Sequence, residues 1–181
     1  MARSKALHPP LIHGVAAVGC LLALVAIPGA LPVLGADPPV QEEVQPTLPR
    51  QILLDLGQRQ ISLLEGTTVL GRWPVAIGDP STPTPTGRFV VESKVVNPRY
   101  QSTSSGRIYK TIGPQSPLGD RWIGFQKSGV NEYGIHGTPE AWSWTVLSRA
   151  AVSNGCVRML TPHIRELFQQ VQLGTPVIVT R

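Results

Sequence analysis

Glycine and proline recur so densely along this chain, eighteen of each in 181 residues, that most apolar runs are interrupted after a few residues. Proline removes a backbone donor and fixes φ, and glycine weakens helices and strands alike, so breaks at this density favour short strands joined by turns. Charged residues make up 15% of the chain, too few for a coiled coil or a long-helix protein. The length suits one compact domain with an appendage, since single domains usually hold about 100 to 200 residues. Basic residues outnumber acidic ones, 16 against 11. They stand singly among Gly, Thr and acids instead of forming a stripe, which excludes a nucleic-acid partner.

Arg3 and Lys5 are followed by no charge until Asp37, and Val15 to Ile27 is almost purely apolar. A charged n-region ahead of an apolar h-region is the order of a secretory signal peptide, with Gly35 and Ala36 as small residues for cleavage. The alternative is an uncleaved membrane anchor, because Leu11 to Ile27 spans 17 residues and borders on the shortest apolar run that crosses a bilayer. Either way the remainder faces outside, which predicts an exported protein of the periplasm or cell envelope. Residues 1–36 are assigned to the leader and 37–49, with Pro38, Pro39, Pro46 and Pro49 among Gln and Glu, to an extended linker. Past the leader, 14 basic and 11 acidic residues remain, a balance compatible with an anionic wall or membrane surface. One cysteine also remains, Cys156; it has no partner for an internal disulfide and is therefore either packing or a reactive thiol.

The folded domain is assigned to residues 50–181. Gln51 to Asp55, Gln60 to Leu64 and Thr68 to Ile77 are short apolar runs around Gly57 and Gly66, a pattern that predicts an antiparallel meander. Asp79 to Gly87 is a Pro and Thr loop, Arg88 to Val96 is β-branched enough for a strand, and a long polar loop spans 97–119. Arg121 to Phe125, Tyr133 to His136 and Thr175 to Thr180 complete the strands. One helix is predicted: Thr161 as cap, Pro162 as first helical residue, Ile164, Leu167, Phe168 and Val171 at i, i+3, i+4 and i+7, and Gly174 as stop. The expected fold is mainly β with this one clear helix, as a monomer.

The chemistry concentrates between Tyr133 and Leu160. Sixteen residues separate His136 from Ser153-Asn154-Gly155-Cys156-Val157-Arg158. A thiol needs a base or a positive field to populate its thiolate near neutral pH, and an imidazole can supply either. Gly155 lets the backbone turn tightly before Cys156, so neighbouring amides can converge on a developing oxyanion. Arg158 falls on the same side of a strand as Cys156, placed to hold a substrate carboxylate. Trp142 and Trp144 read either as loop anchors or as walls of a substrate groove; Tyr133, Trp122 and Phe125 read as core. His163 is expected in solvent at the first turn of the helix. Cys156, His136 and His163 lack the paired spacing of zinc ligands, so neither metal nor cofactor is expected.

The run from His136 through Ser153-Asn154-Gly155-Cys156-Val157-Arg158 resembles the signature of the L,D-transpeptidase catalytic domain of the YkuD type, a His followed at this interval by Ser or Thr, His, Gly and Cys. Thr84-Pro85-Thr86-Gly87-Arg88-Phe89 and Tyr133-Gly134-Ile135-His136-Gly137-Thr138 resemble further segments of that family. The resemblance implies a mixed β-sandwich and a peptidoglycan enzyme. Cys attacks the carbonyl after the diamino acid of a tetrapeptide stem, expels D-Ala, and forms a thioester that an amine resolves. Carried over by position, Cys156 is the nucleophile, His136 the general base and acid, and the Gly137 carbonyl orients the imidazole. The amides of Asn154, Gly155 and Cys156 form the oxyanion hole, and Arg158, with Ser153, Thr138, Trp142 and Tyr133, contacts substrate. Asn154 departs from the pattern, standing where the family has a second His. Two other readings share some of these features. A sortase-like transpeptidase also orders His, Cys and Arg in this way but needs a different sequence before the Cys, and a wall-binding domain could keep the fold without the chemistry.

Overall fold

Alternating apolar side chains build the first sheet. A computed structural model describes residues 48–102, 105–129 and 131–181; the expected leader and the linker as far as residue 47 lie outside the described residues. β1 (Arg50–Asp55), β2 (Gln60–Glu65) and β3 (Thr68–Pro74) form the expected meander. β11 (Pro176–Thr180) lies parallel to β1 on its other edge, and β5 (Gly87–Val90) closes the sheet antiparallel to β11, giving the order β3-β2-β1-β11-β5. The register stacks Ile52 against Leu63 and Val177, and Leu54 against Ile61 and Val179, so one face of the sheet is continuously apolar and buried.

The second sheet has the order β10-β8-β7-β6, comprising β10 (Val157–Arg158), β8 (Asn131–His136), β7 (Arg121–Ser128) and β6 (Ser93–Val96). It contributes Ile123, Phe125, Ile135 and Val157 to the same core, and α2 (Thr161–Gln170) adds Ile164 and Leu167. Burying a side chain of this size stabilises by about 1.5–3 kcal/mol. A parallel pair, β4 (Ile77–Gly78) with β9 (Ala151–Ser153), lies beside them.

Four local expectations change. The run from Arg88 to Val96 divides at Val91-Glu92 into β5 and β6, which belong to different sheets; Val91, buried at the corner, donates its amide to the Thr175 carbonyl. The run from Thr68 to Ile77 divides after Pro74, because the amides of Val75 and Ala76 turn away to the carbonyls of Arg59 and Arg158. Thr161 is the first helical residue and Leu160 the cap; the Thr161 hydroxyl is spent instead on the Thr138 carbonyl at 3.1 Å. A second short helix, α1 (Ser143–Leu147), follows a single 3-10 turn at Glu140–Trp142. Among the described residues no helix is long and apolar enough to cross a membrane.

Candidate active site

His136 ends β8, where the strand leaves the sheet through Gly137. The residue is 3% exposed and its ring stacks on Trp122, with centroids 5.9 Å apart and planes 17° from parallel. Nδ1 lies 2.6 Å from the Gly137 carbonyl, which can only accept, so Nδ1 carries the proton and Nε2 is left with its lone pair. Gly137 is held in turn by Gly119, at φ +63, whose Cα approaches so closely that a Cβ there would stand 2.6 Å from the Gly137 Cα.

Cys156 follows a loop tied by its own side chains. The Ser153 hydroxyl accepts from the Gly155 amide at 3.1 Å and donates to the Cys156 carbonyl at 2.5 Å. The Ser153 carbonyl receives the Asp79 amide at 2.8 Å and the Thr82 hydroxyl at 3.0 Å, so the Pro and Thr loop is clamped onto the segment before the cysteine. Gly155 has φ +101, and a Cβ on it would sit 2.6 Å from the Tyr133 ring; both facts demand glycine.

The parallel register pairs Val157 with Ile135 and Arg158 with His136. One step back places Cys156 beside Gly134. Side chains alternate across a strand, so Glu132, Gly134 and His136 of β8 share one face with Cys156 and Arg158. Tyr133 and Ile135 take the other face, where they pack with the core. The thiol is partly exposed and directs its proton to the Glu132 carbonyl at 3.6 Å.

Burial pushes the Cys156 thiol up from its ordinary value; the Gly134 amide and the positive Arg158 oppose that rise, and the Glu132 carboxylate adds to it. Burial likewise carries the His136 imidazole down to about 4, against the Gly137 hydrogen bond and with the help of the Arg158 charge. Both shifts favour neutral groups. Desolvation outweighs the local charges in each case; of the two roles open to the imidazole, base or positive field, a neutral ring suits the base.

The remaining candidates separate. Arg158 is half-buried, with its guanidinium 5.2 Å over the Trp142 ring, so Trp142 anchors the arginine, whereas Trp144 stands 59% exposed. The Thr138 hydroxyl is buried without a hydrogen-bond partner, and the Asn154 side chain is exposed. His163 is half-buried, its ring 6.5 Å from that of Trp73 and not free in solvent. Among the described residues no three His, Cys, Asp or Glu side chains gather as a metal site. Trp122 was read from the sequence as core only, and Glu132 escaped notice. The signal for Glu132 was present as the period of two, Glu132-Gly134-His136, on one strand.

The family model for the L,D-transpeptidase catalytic domain, YkuD, matches residues 49–179. This chain belongs to the L,D-transpeptidase catalytic domain family. The YqjB protein of Bacillus subtilis is 34% identical over 131 residues, 71% of this chain and 70% of that one. The solved L,D-transpeptidase of Enterococcus faecium is 27% identical with a TM-score of 0.56, over 74% of this chain and 50% of that one. The L,D-transpeptidase of Mycobacterium smegmatis, 23% identical with a TM-score of 0.58 over 73% of this chain and 58% of that one, shares the fold. The chain thus spans between half and three fifths of these two solved chains. Its catalytic domain is that of a peptidoglycan L,D-transpeptidase, and because peptidoglycan lies outside the cell membrane, its place of work is an exported one.

Proposed function

We propose that residues 50–181 cut the diamino-acid to D-Ala bond of a tetrapeptide stem and pass the acyl group to an amine, with Cys156 as nucleophile and His136 as base and acid. The observation supporting this most directly is the common face of Cys156 and His136, with the imidazole tautomer set by Gly137. When substrate displaces water, the thiol turns from the Glu132 carbonyl to Nε2, gives up its proton there, and attacks the stem carbonyl. His136 then returns that proton to the departing D-Ala nitrogen, leaving a thioester. The Gly155 amide is occupied by Ser153, so the amides of Asn154 and Cys156 take the oxyanion, and Gly155 serves the turn that aims them. Arg158, braced by Trp142, meets a carboxylate of the stem.

The absence of a second imidazole at Asn154 is tolerated in this scheme, since His136 performs every proton transfer. Residues 1–36 direct export to the periplasm or cell envelope, by cleavage or as an anchor. Intact-mass detection of a thioester with a defined tetrapeptide, together with D-Ala release, tests the reading. The wild type should form the adduct, and His136→Ala should slow it about a hundredfold or more, as for loss of a general base. A wall-binding domain without chemistry would show neither adduct nor release.

A further inference from the structure

The polarity of the sheet face around the thiol carries an inference about the second half of the reaction, and it rests on the transfer reading above. Cys156 stands opposite Gly134, so its two neighbours along β8 are His136 on one side and Glu132 on the other, each about 7 Å away along the strand. The cation Arg158 lies on the His136 side, in register with it. The Glu132 carboxylate lies on the opposite side and is held in place: Trp122 Nε1 donates to Ser93 Oγ at 3.2 Å, and Ser93 Oγ donates to Glu132 Oε1 at 3.3 Å. Trp122 is the same ring that stacks on His136, so one indole fixes both the base and the hydroxyl that orients the carboxylate.

That carboxylate is not consumed by a tight ion pair. Its cationic neighbour, Lys127, is 3.8 Å away and 65% exposed, and the Glu132 side chain is itself 40% exposed. Such a loose surface pair contributes little and exchanges readily for another cation. An acceptor amine is an ammonium ion near neutral pH, and before it can attack it must reach the thioester. A carboxylate beside the nucleophile, across from the arginine, attracts that ammonium and leaves the arginine side for the donor's carboxylate.

We propose that Glu132 is a specificity-determining residue that docks the acceptor as its ammonium ion on the side of Cys156 opposite Arg158. The docked ammonium loses one proton to solvent. The free amine attacks the thioester carbonyl, the C–N bond forms and the C–S bond breaks. His136 takes the surplus proton from nitrogen and delivers it to the sulfur, which restores the thiol. Glu132 itself neither gains nor loses a proton.

The experiment uses the full chain with a tetrapeptide donor. It compares two acceptors at pH 7: an α-N-acetylated tripeptide stem whose free amine is that of the diamino acid, and hydroxylamine, an uncharged nucleophile. In Glu132→Gln the ratio of transfer to hydrolysis should fall about fivefold for the ammonium acceptor, the size expected of one partly exposed ion pair, with a raised acceptor KM. The ratio for hydroxylamine should hold. Acyl-enzyme formation should proceed at or above the wild-type rate, because a negative charge beside the thiol has been removed. Lys127→Ala, which frees the carboxylate, should raise the ammonium ratio. An unchanged ammonium ratio in Glu132→Gln, or an equal fall for both acceptors, overturns the proposal while leaving the transferase reading intact. A wild type that forms no acyl-enzyme overturns that reading and this proposal with it.

Discussion

The two sheets share one core but use their outer faces differently. In β3-β2-β1-β11-β5 the strands β2, β1 and β11 bury Ile, Leu and Val in matched register, and the five strands provide neither His136 nor Cys156. In β10-β8-β7-β6 the inner face packs equally well, through Ile123, Phe125, Ile135 and Val157. Its outer face, however, carries Glu132, His136, Cys156 and Arg158 on strands broken by glycine, and β10 is only two residues long. The candidate active-site side chains thus stand on one layer alone, where Trp122 stacks on His136 and the loop at Ser153 is tied ahead of Cys156.

The contrast can be broken most sharply at the sulfur. Cys156→Ala should abolish acyl-enzyme formation while its chemical denaturation curve overlays that of the wild type; a large loss of stability would show that the second sheet is not separable in this way. The complementary change is Leu54→Ala. Removing a wholly buried leucine side chain from the first sheet should cost about 2–5 kcal/mol in urea unfolding, yet the fraction that remains folded should acylate at the wild-type rate.

A pH series sharpens the comparison further. The His136 pKa is lower in the folded chain, about 4, than in the unfolded one, about 6.5. The native state therefore binds fewer protons between those values. The stability associated with the neutral ring is fully present above the unfolded pKa and is lost as pH falls toward 4, by up to about 3 kcal/mol. His136→Gln should remove that component of the acid slope, and a slope identical to wild type would show that the imidazole is not held neutral by burial. The smallest effect is expected at Asn154. Its side chain is exposed, so Asn154→His should change the acylation rate by less than about threefold, within the range of a surface substitution; a large gain would mean that proton transfer is shared.

The meander and the helix from Thr161 were legible because each rests on local pattern, and the interval from His136 to Cys156 pointed to two segments that the register sets side by side on one face. What could not be read depends on partners distant in sequence. No residue of Arg88 to Val96 is a glycine or proline, so nothing local announced that Val91 would turn into the core and send β6 to the other sheet. The Thr161 hydroxyl was drawn from its capping role by Thr138, 23 residues away. The lowered pKa of His136 comes from burial, and burial of that kind is a property of the assembled core. Glu132 was readable in principle, but only once β8 was known to extend back to Asn131.

The parallel contact between β1 and β11 has a consequence for biogenesis. The opening strand of the domain finds one of its two neighbours only in the last strand, more than a hundred residues later, so the five-stranded layer cannot close until synthesis of that strand is complete. Contacts of such long range are slow to form, and a polypeptide emerging from the ribosome lacks this pairing, and the sheet edge it completes, until β11 has been made.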